Sequence, residues 1–134
     1  MEYSIKAQSF SRNKATIHAK QSEIVFGITP ESADLLPNPA ELFLGSFLAC
    51  ILKSVERFSI FMNFEYSKTE ITVNATRFEK PPRMDAINYE LKIYSQDPNL
   101  NSELLKKNIE KFGTIYNTVK ASCAITGKIT VITT

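Results

Sequence analysis

The sequence predicts an α+β domain, and three features carry that expectation. The run from Asn38 to Met62, NPAELFLGSFLACILKSVERFSIFM, is long and apolar enough for one helix. Short segments that alternate apolar and polar residues precede it. Two longer alternating segments, an amphipathic stretch and a last alternating segment follow it. The expected order is βββ-α-ββ-α-β in a single domain over residues 1–134, with the long helix between two groups of strands.

Residues 3 to 9 set Tyr3, Ile5 and Ala7 against Ser4, Lys6 and Gln8, the pattern of a half-buried strand. Ser11-Arg12-Asn13-Lys14 is a polar turn. Ala15, Ile17 and Ala19 mark a second strand, and Glu23 to Gly27 a short third one, together an antiparallel meander. Ile28 to Pro37 is a loop punctuated by Pro30 and Pro37.

The helix start is well signalled. Asn38 can cap, Pro39 suits the first helical position, and Glu41 stands in capping-box register with Asn38. From Leu42 to Leu52 no residue is charged, and the only polar side chains are Ser46 and the Cys50 thiol, so burial on nearly every side is expected. Beyond Leu52 the pattern turns amphipathic. The helix would be roughly 35 Å long at about 1.5 Å per residue. One small sheet cannot sheathe such a rod, so a second subunit is expected to complete the core. The uncharged run is well short of the roughly 18 residues of a membrane span, and Glu41 and Lys53 flank it.

Lys68 to Phe78 alternates, with Ile71, Val73 and Ala75 on one face. After the break at Glu79-Lys80-Pro81-Pro82, Ala86 to Tyr94 returns antiparallel, with Ile87, Tyr89, Leu91 and Ile93 on one face. Ser102 can cap a helix from Glu103 to Phe112 whose apolar stripe is Leu104, Leu105, Ile109 and Phe112. Gly113 suits the left-handed residue that ends many helices. Thr114 to Lys120 is a further short helical piece, and Gly127 to Thr133 the closing strand.

The chain has 134 residues, 43% hydrophobic and 22% charged, an ordinary globular composition. Its 16 basic and 14 acidic residues leave a net charge of +2, with no basic patch, so neither nucleic acid nor a membrane surface is an expected partner. The start, Met1-Glu2-Tyr3-Ser4-Ile5-Lys6, lacks the pattern of a secretory signal. Two cysteines make no disulfide framework. A cytoplasmic location with both thiols reduced is the expectation.

Cys50, mid-helix, is the first candidate for chemistry. Its ordinary role is a small apolar core residue. Reactivity needs a positive group close by, and no sequence neighbour supplies one. Arg12, in the first turn, is one source, though a turn is also a normal place for a solvated arginine. Glu41, at the helix start, is fully explained as a cap. Cys123, before the last strand, reads as a packed small residue. His18 is the only histidine, so a histidine metal cluster is excluded, and four glycines at 27, 45, 113 and 127 draw no phosphate loop. No cofactor is expected.

Taken together, Asn38-Pro39-Ala40-Glu41-Leu42-Phe43, Ala49-Cys50 and Tyr116-Asn117-Thr118, with their spacing and the strand order, resemble the OsmC/Ohr family over nearly the whole chain. The resemblance implies an OsmC-like fold and an intertwined homodimer, with the Cys-bearing helices packed at its centre and the site at the subunit interface. It also implies peroxiredoxin-like reduction of organic hydroperoxides under oxidative stress. A Cys thiolate attacks the peroxide, an Arg from the first turn stabilises the thiolate, a Glu from the helix start holds that Arg, and a second Cys closes a disulfide. Cys50 matches the attacking Cys and Arg12 the activating Arg. The first motif Glu is Ala40 here, and Glu41 stands one place on, about 100° round the helix, which leaves its reach to Arg12 open. Gly113 occupies the place of the second Cys, and Cys123 comes ten residues later.

Three readings follow from these departures. Cys50 works as a one-Cys peroxidase with an external thiol reductant, or Cys123 has become the resolving Cys. In the third, activity has decayed and the interface pocket binds a small apolar ligand without turnover.

Overall fold

The computed structural model describes residues 1–133. They form two compact units, Met1–Leu44 and Gly45–Thr134, with the final residue of the second outside that description. In the first unit, β1 (Lys6–Ser9), β2 (Lys14–Ala19) and β3 (Ser22–Gly27) make the expected antiparallel meander, in the order β1-β2-β3. Ala15 pairs with Phe26 and Ile17 with Ile24. The first strand is shorter than its alternation predicts, and it is exposed along its whole length rather than half-buried. Tyr3 and Ile5, which were to supply its apolar face, lie before it and stay 76% and 66% exposed.

Arg12 adopts a left-handed backbone, φ 64°, in the β1–β2 turn. After β3 the loop carries one 3-10 turn, Pro30–Ser32. Gly27 is needed there for close approach: a Cβ on it would lie 2.5 Å from Ser32 Oγ. The helix α1 (Pro39–Phe61) then begins with a complete capping box. Asn38 Oδ1 accepts from Glu41 N at 2.9 Å, and Glu41 Oε1 accepts from Asn38 N at 3.0 Å.

In the second unit, β4 (Lys68–Glu79), β5 (Pro82–Tyr94) and β6 (Ile125–Ile132) form a sheet in the order β4-β5-β6. The β4–β5 pair is antiparallel, with a bulge between Asn74 and Thr76, and β6 runs parallel to β5. As the central strand, β5 buries Ile87, Tyr89, Leu91 and Ile93 to 1% exposure or less. Each such side chain contributes about 1.5–3 kcal/mol. Gly127 sits opposite Tyr89, and a Cβ on it would stand 1.9 Å from the tyrosine ring, so only glycine lets the ring cross β6.

The connection after β5 leads to α2 (Ser102–Phe112) and α3 (Thr114–Lys120). Asn101 rather than Ser102 caps α2, accepting from Leu104 N at 3.1 Å. Of the expected α2 stripe only Leu105 and Ile109 are buried, while Leu104 and Phe112 remain 45% and 50% exposed. A helix on one sheet can bury a narrow stripe only.

The same limit governs α1. Phe47, Ile51, Ser54, Val55 and Phe58 are buried, at helical spacing. Phe43, Ser46 and Ala49 are exposed, and Leu42, Leu44, Leu48 and Leu52 are half-buried. Burial of the helix on nearly every side is therefore not what this single chain provides. Among the described residues no helix is long and apolar enough to cross a membrane.

Candidate functional site

The expected sites start from Cys50. It lies on α1 one turn after the buried Phe47 and is half-buried itself, on the border between the helix's buried stripe and its exposed face. Its sulfur rests against Gly113, the residue joining α2 to α3. A Cβ built on Gly113 would stand 3.1 Å from Cys50 Sγ. An S–S bond of about 2.05 Å places one Cβ about 3 Å from the opposite sulfur. Positions 50 and 113 thus have a spacing suited to a sulfur pair. Gly113 is buried, and its backbone is extended, φ −70° and ψ 121°, not left-handed as its helix-ending place suggested. The glycine here supplies room: a Cβ would also come within 3.0 Å of Ile109 O and Tyr116 Cβ.

Tyr116 ties the surroundings together. Its ring stacks on Phe47 with centroids 5.8 Å apart. Burial pushes its hydroxyl up to about 12, helped by the charge of Glu110 and a hydrogen bond to that carboxylate. Glu110 in turn pairs with Lys106 at 2.8 Å. Tyr89 packs against Phe47 at 6.1 Å, and its buried hydroxyl has no hydrogen-bond partner among the described residues. Burial first, then Glu110, raises its ionisation well above the usual tyrosine range. In the sequence, Tyr116 stood out only within Tyr116-Asn117-Thr118.

The other candidates are placed as follows. Arg12 is exposed and lines a cleft of about 520 Å³ with Ile28, Thr29, Pro30 and Glu31. The Glu41 carboxylate closes the capping box, and among the described residues it forms no ion pair with Arg12. Cys123 is a free, half-buried thiol that donates to Met84 O at 3.5 Å. His18 pairs with Glu23 across the β2–β3 hairpin at 3.3 Å. Among the described residues no three His, Cys, Asp or Glu side chains are grouped to hold a metal.

Comparison with known proteins supplies the frame for this geometry. Among curated proteins nothing matches the sequence. Solved structures match over almost the whole chain. An OsmC-like protein from Mycoplasma pneumoniae superposes with a TM-score of 0.85 at 18% identity, covering 98% of both chains. An organic hydroperoxide resistance protein OsmC from Legionella pneumophila gives 0.68 at 13% identity, covering 96% of this chain and 98% of its own. The organic hydroperoxide resistance protein OhrB of Bacillus subtilis gives 0.61 at 15%, covering 97% and 98%. At these identities the likeness is one of fold, the OsmC-like α+β arrangement. The family described as OsmC-like protein matches residues 32–128, a stretch holding α1, Cys50, Gly113 and Tyr116. That match spans well over half of the sequence, and the chain belongs to the OsmC-like protein family.

Proposed function

We propose that the chain is a thiol-dependent reductase of organic hydroperoxides, with Cys50 as the attacking sulfur and a one-Cys cycle, in a site completed by a second copy of the chain. Members of its family that share the fold are named as organic hydroperoxide resistance proteins, which supports a role in peroxide stress. The observation that carries the reading is the seat of the Cys50 sulfur against Gly113. Position 113 carries no thiol, so in this reading the reductant is an external thiol.

The Cys50 thiolate attacks the distal peroxide oxygen. The S–O bond forms as the O–O bond breaks, and the alkoxide leaves and takes a proton to become the alcohol. The sulfenic acid then condenses with an external thiol, releasing water and leaving a mixed disulfide. A second external thiol attacks that disulfide and restores Cys50. Arg12 is the candidate cation for that thiolate, and the Glu41 carboxylate is committed to the capping box of α1. The exposed positions of α1, with Ala49, Ile60 and Phe61, support a second copy as its cover.

Steady-state consumption of cumene hydroperoxide with a monothiol reductant tests this. Turnover by the wild-type chain and by Cys123→Ser, abolished by Cys50→Ser, is expected. Loss of turnover in Cys123→Ser would make Cys123 the resolving thiol. The absence of any turnover, with an apolar molecule retained in native mass spectrometry, would favour a non-catalytic binding protein, the reading that the missing thiol at Gly113 otherwise invites.

A further inference from the structure

We propose that Asn117 is a positioning residue for Cys50: its side chain ties α3 back to α2 across Gly113 and so holds that joint against the Cys50 sulfur. The inference rests on the thiol reading above.

The joint moves unless it is tied. Gly113 is the single residue between α2 and α3, and glycine is the most freely rotating residue in a chain. With seven residues, α3 falls short of the roughly 12–15 at which an isolated helix is even marginally stable. Its place is therefore set by what it touches. The end of α2, in turn, leaves carbonyls that need donors.

Two side chains of α3 reach back to α2. On the buried side, Tyr116 bonds to Glu110 and stacks on Phe47. On the exposed side, Asn117 Nδ2 donates to Lys111 O at 3.0 Å, and the Asn117 backbone N–H donates to Gly113 O at 2.9 Å. Asn117 thus grips both Lys111 and Gly113. The next link is contact, since a Cβ at position 113 would lie 3.1 Å from Cys50 Sγ. Asn117 is itself exposed, so replacing it cuts the tie without opening a cavity in the core. Losing one such hydrogen bond should raise the population with the joint swung off the sulfur about two- to tenfold.

The test compares the full-length wild-type chain with Asn117→Ala and Asn117→Asp. An ionised Asp has the shape of Asn but cannot donate, and Ala favours a helix more than Asn does, so an effect shared by both belongs to the lost bond. Peptide mass spectrometry follows iodoacetamide alkylation of each thiol, and separately the oxidation of Cys50 by one equivalent of cumene hydroperoxide. Alkylation needs space round the sulfur and follows the displaced population, whereas attack on a peroxide needs the seated geometry. In both variants Cys50 alkylation should rise about two- to tenfold, with Cys123 alkylation unchanged and Cys50 oxidation no faster. An unchanged Cys50 rate, or Cys50 and Cys123 rising together, would overturn the role of Asn117, as would alkylation and oxidation of Cys50 accelerating alike. A rise confined to Cys50 alkylation in a protein that consumes no hydroperoxide would instead sink the reductase reading and leave Asn117 as the residue that seats the sulfur.

Discussion

Gly113→Cys should create a disulfide with Cys50. The Cβ it introduces falls 3.1 Å from Cys50 Sγ, within a tenth or so of the spacing across a relaxed S–S bond, about 3 Å. The new bond would close a loop of about 64 residues, and chain entropy alone then gives about 4 kcal/mol of stabilisation. Against this stand two contacts of 3.0 Å, to Ile109 O and Tyr116 Cβ, which need shifts of a few tenths of an ångström and cost about 1–3 kcal/mol. The net gain is about 1–3 kcal/mol, or a Tm rise of roughly 4–10 °C for a chain of this size. Thermal unfolding of the oxidised and the reduced variant, in a Cys123→Ser background, measures it, with intact mass reporting loss of two hydrogens. Two free thiols after mild oxidation, or a Tm that does not depend on reductant, would refute the geometry on which the site is built.

Three other outcomes follow from the same structure. Tyr89→Phe removes a buried hydroxyl that has no partner among the described residues, so it should leave stability unchanged or raise it by up to about 1 kcal/mol; a clear loss of stability in thermal unfolding would show that the hydroxyl is satisfied. Asn38→Ala breaks the capping box and should cost about 1 kcal/mol in chemical denaturation. Asp85 accepts from Ala124 N and Ala86 N and pairs with Arg83, which together hold its carboxyl down at about 2. Its folded value lies below its unfolded one, so its contribution is complete above about pH 4 and fades as pH falls toward 2; Asp85→Asn should flatten the unfolding curve over that window.

How much was legible follows from what each signal depends on. The meander, the β4–β5 hairpin, the capping box of α1 and the order of elements were readable because alternation, turns and caps are local. The parallel pairing of β6 with β5 was not, because nothing within Ile125–Ile132 names its partner. The burial of α1 was legible only in part: an uncharged run states that water is unwelcome, not which surface excludes it, and the single chain covers one stripe of the helix. Gly113 shows the reverse error. Its place after a helix suggested a left-handed residue, while its purpose is the close approach of the Cys50 sulfur, which only the packing reveals. The link between Tyr116 and Phe47 was invisible for the same reason, since it joins residues far apart in the chain. Cys50 was legible as a candidate by type and place, and its family match added what composition could not.

The central claim is that the Cys50 thiol reacts with a hydroperoxide. Intact and peptide mass spectrometry of the reduced chain after one equivalent of cumene hydroperoxide tests it most directly. The expected result is one added oxygen on Cys50, trapped as a sulfenic acid adduct, with Cys123 untouched and the peroxide consumed. An unmodified Cys50 beside unconsumed peroxide would contradict the account.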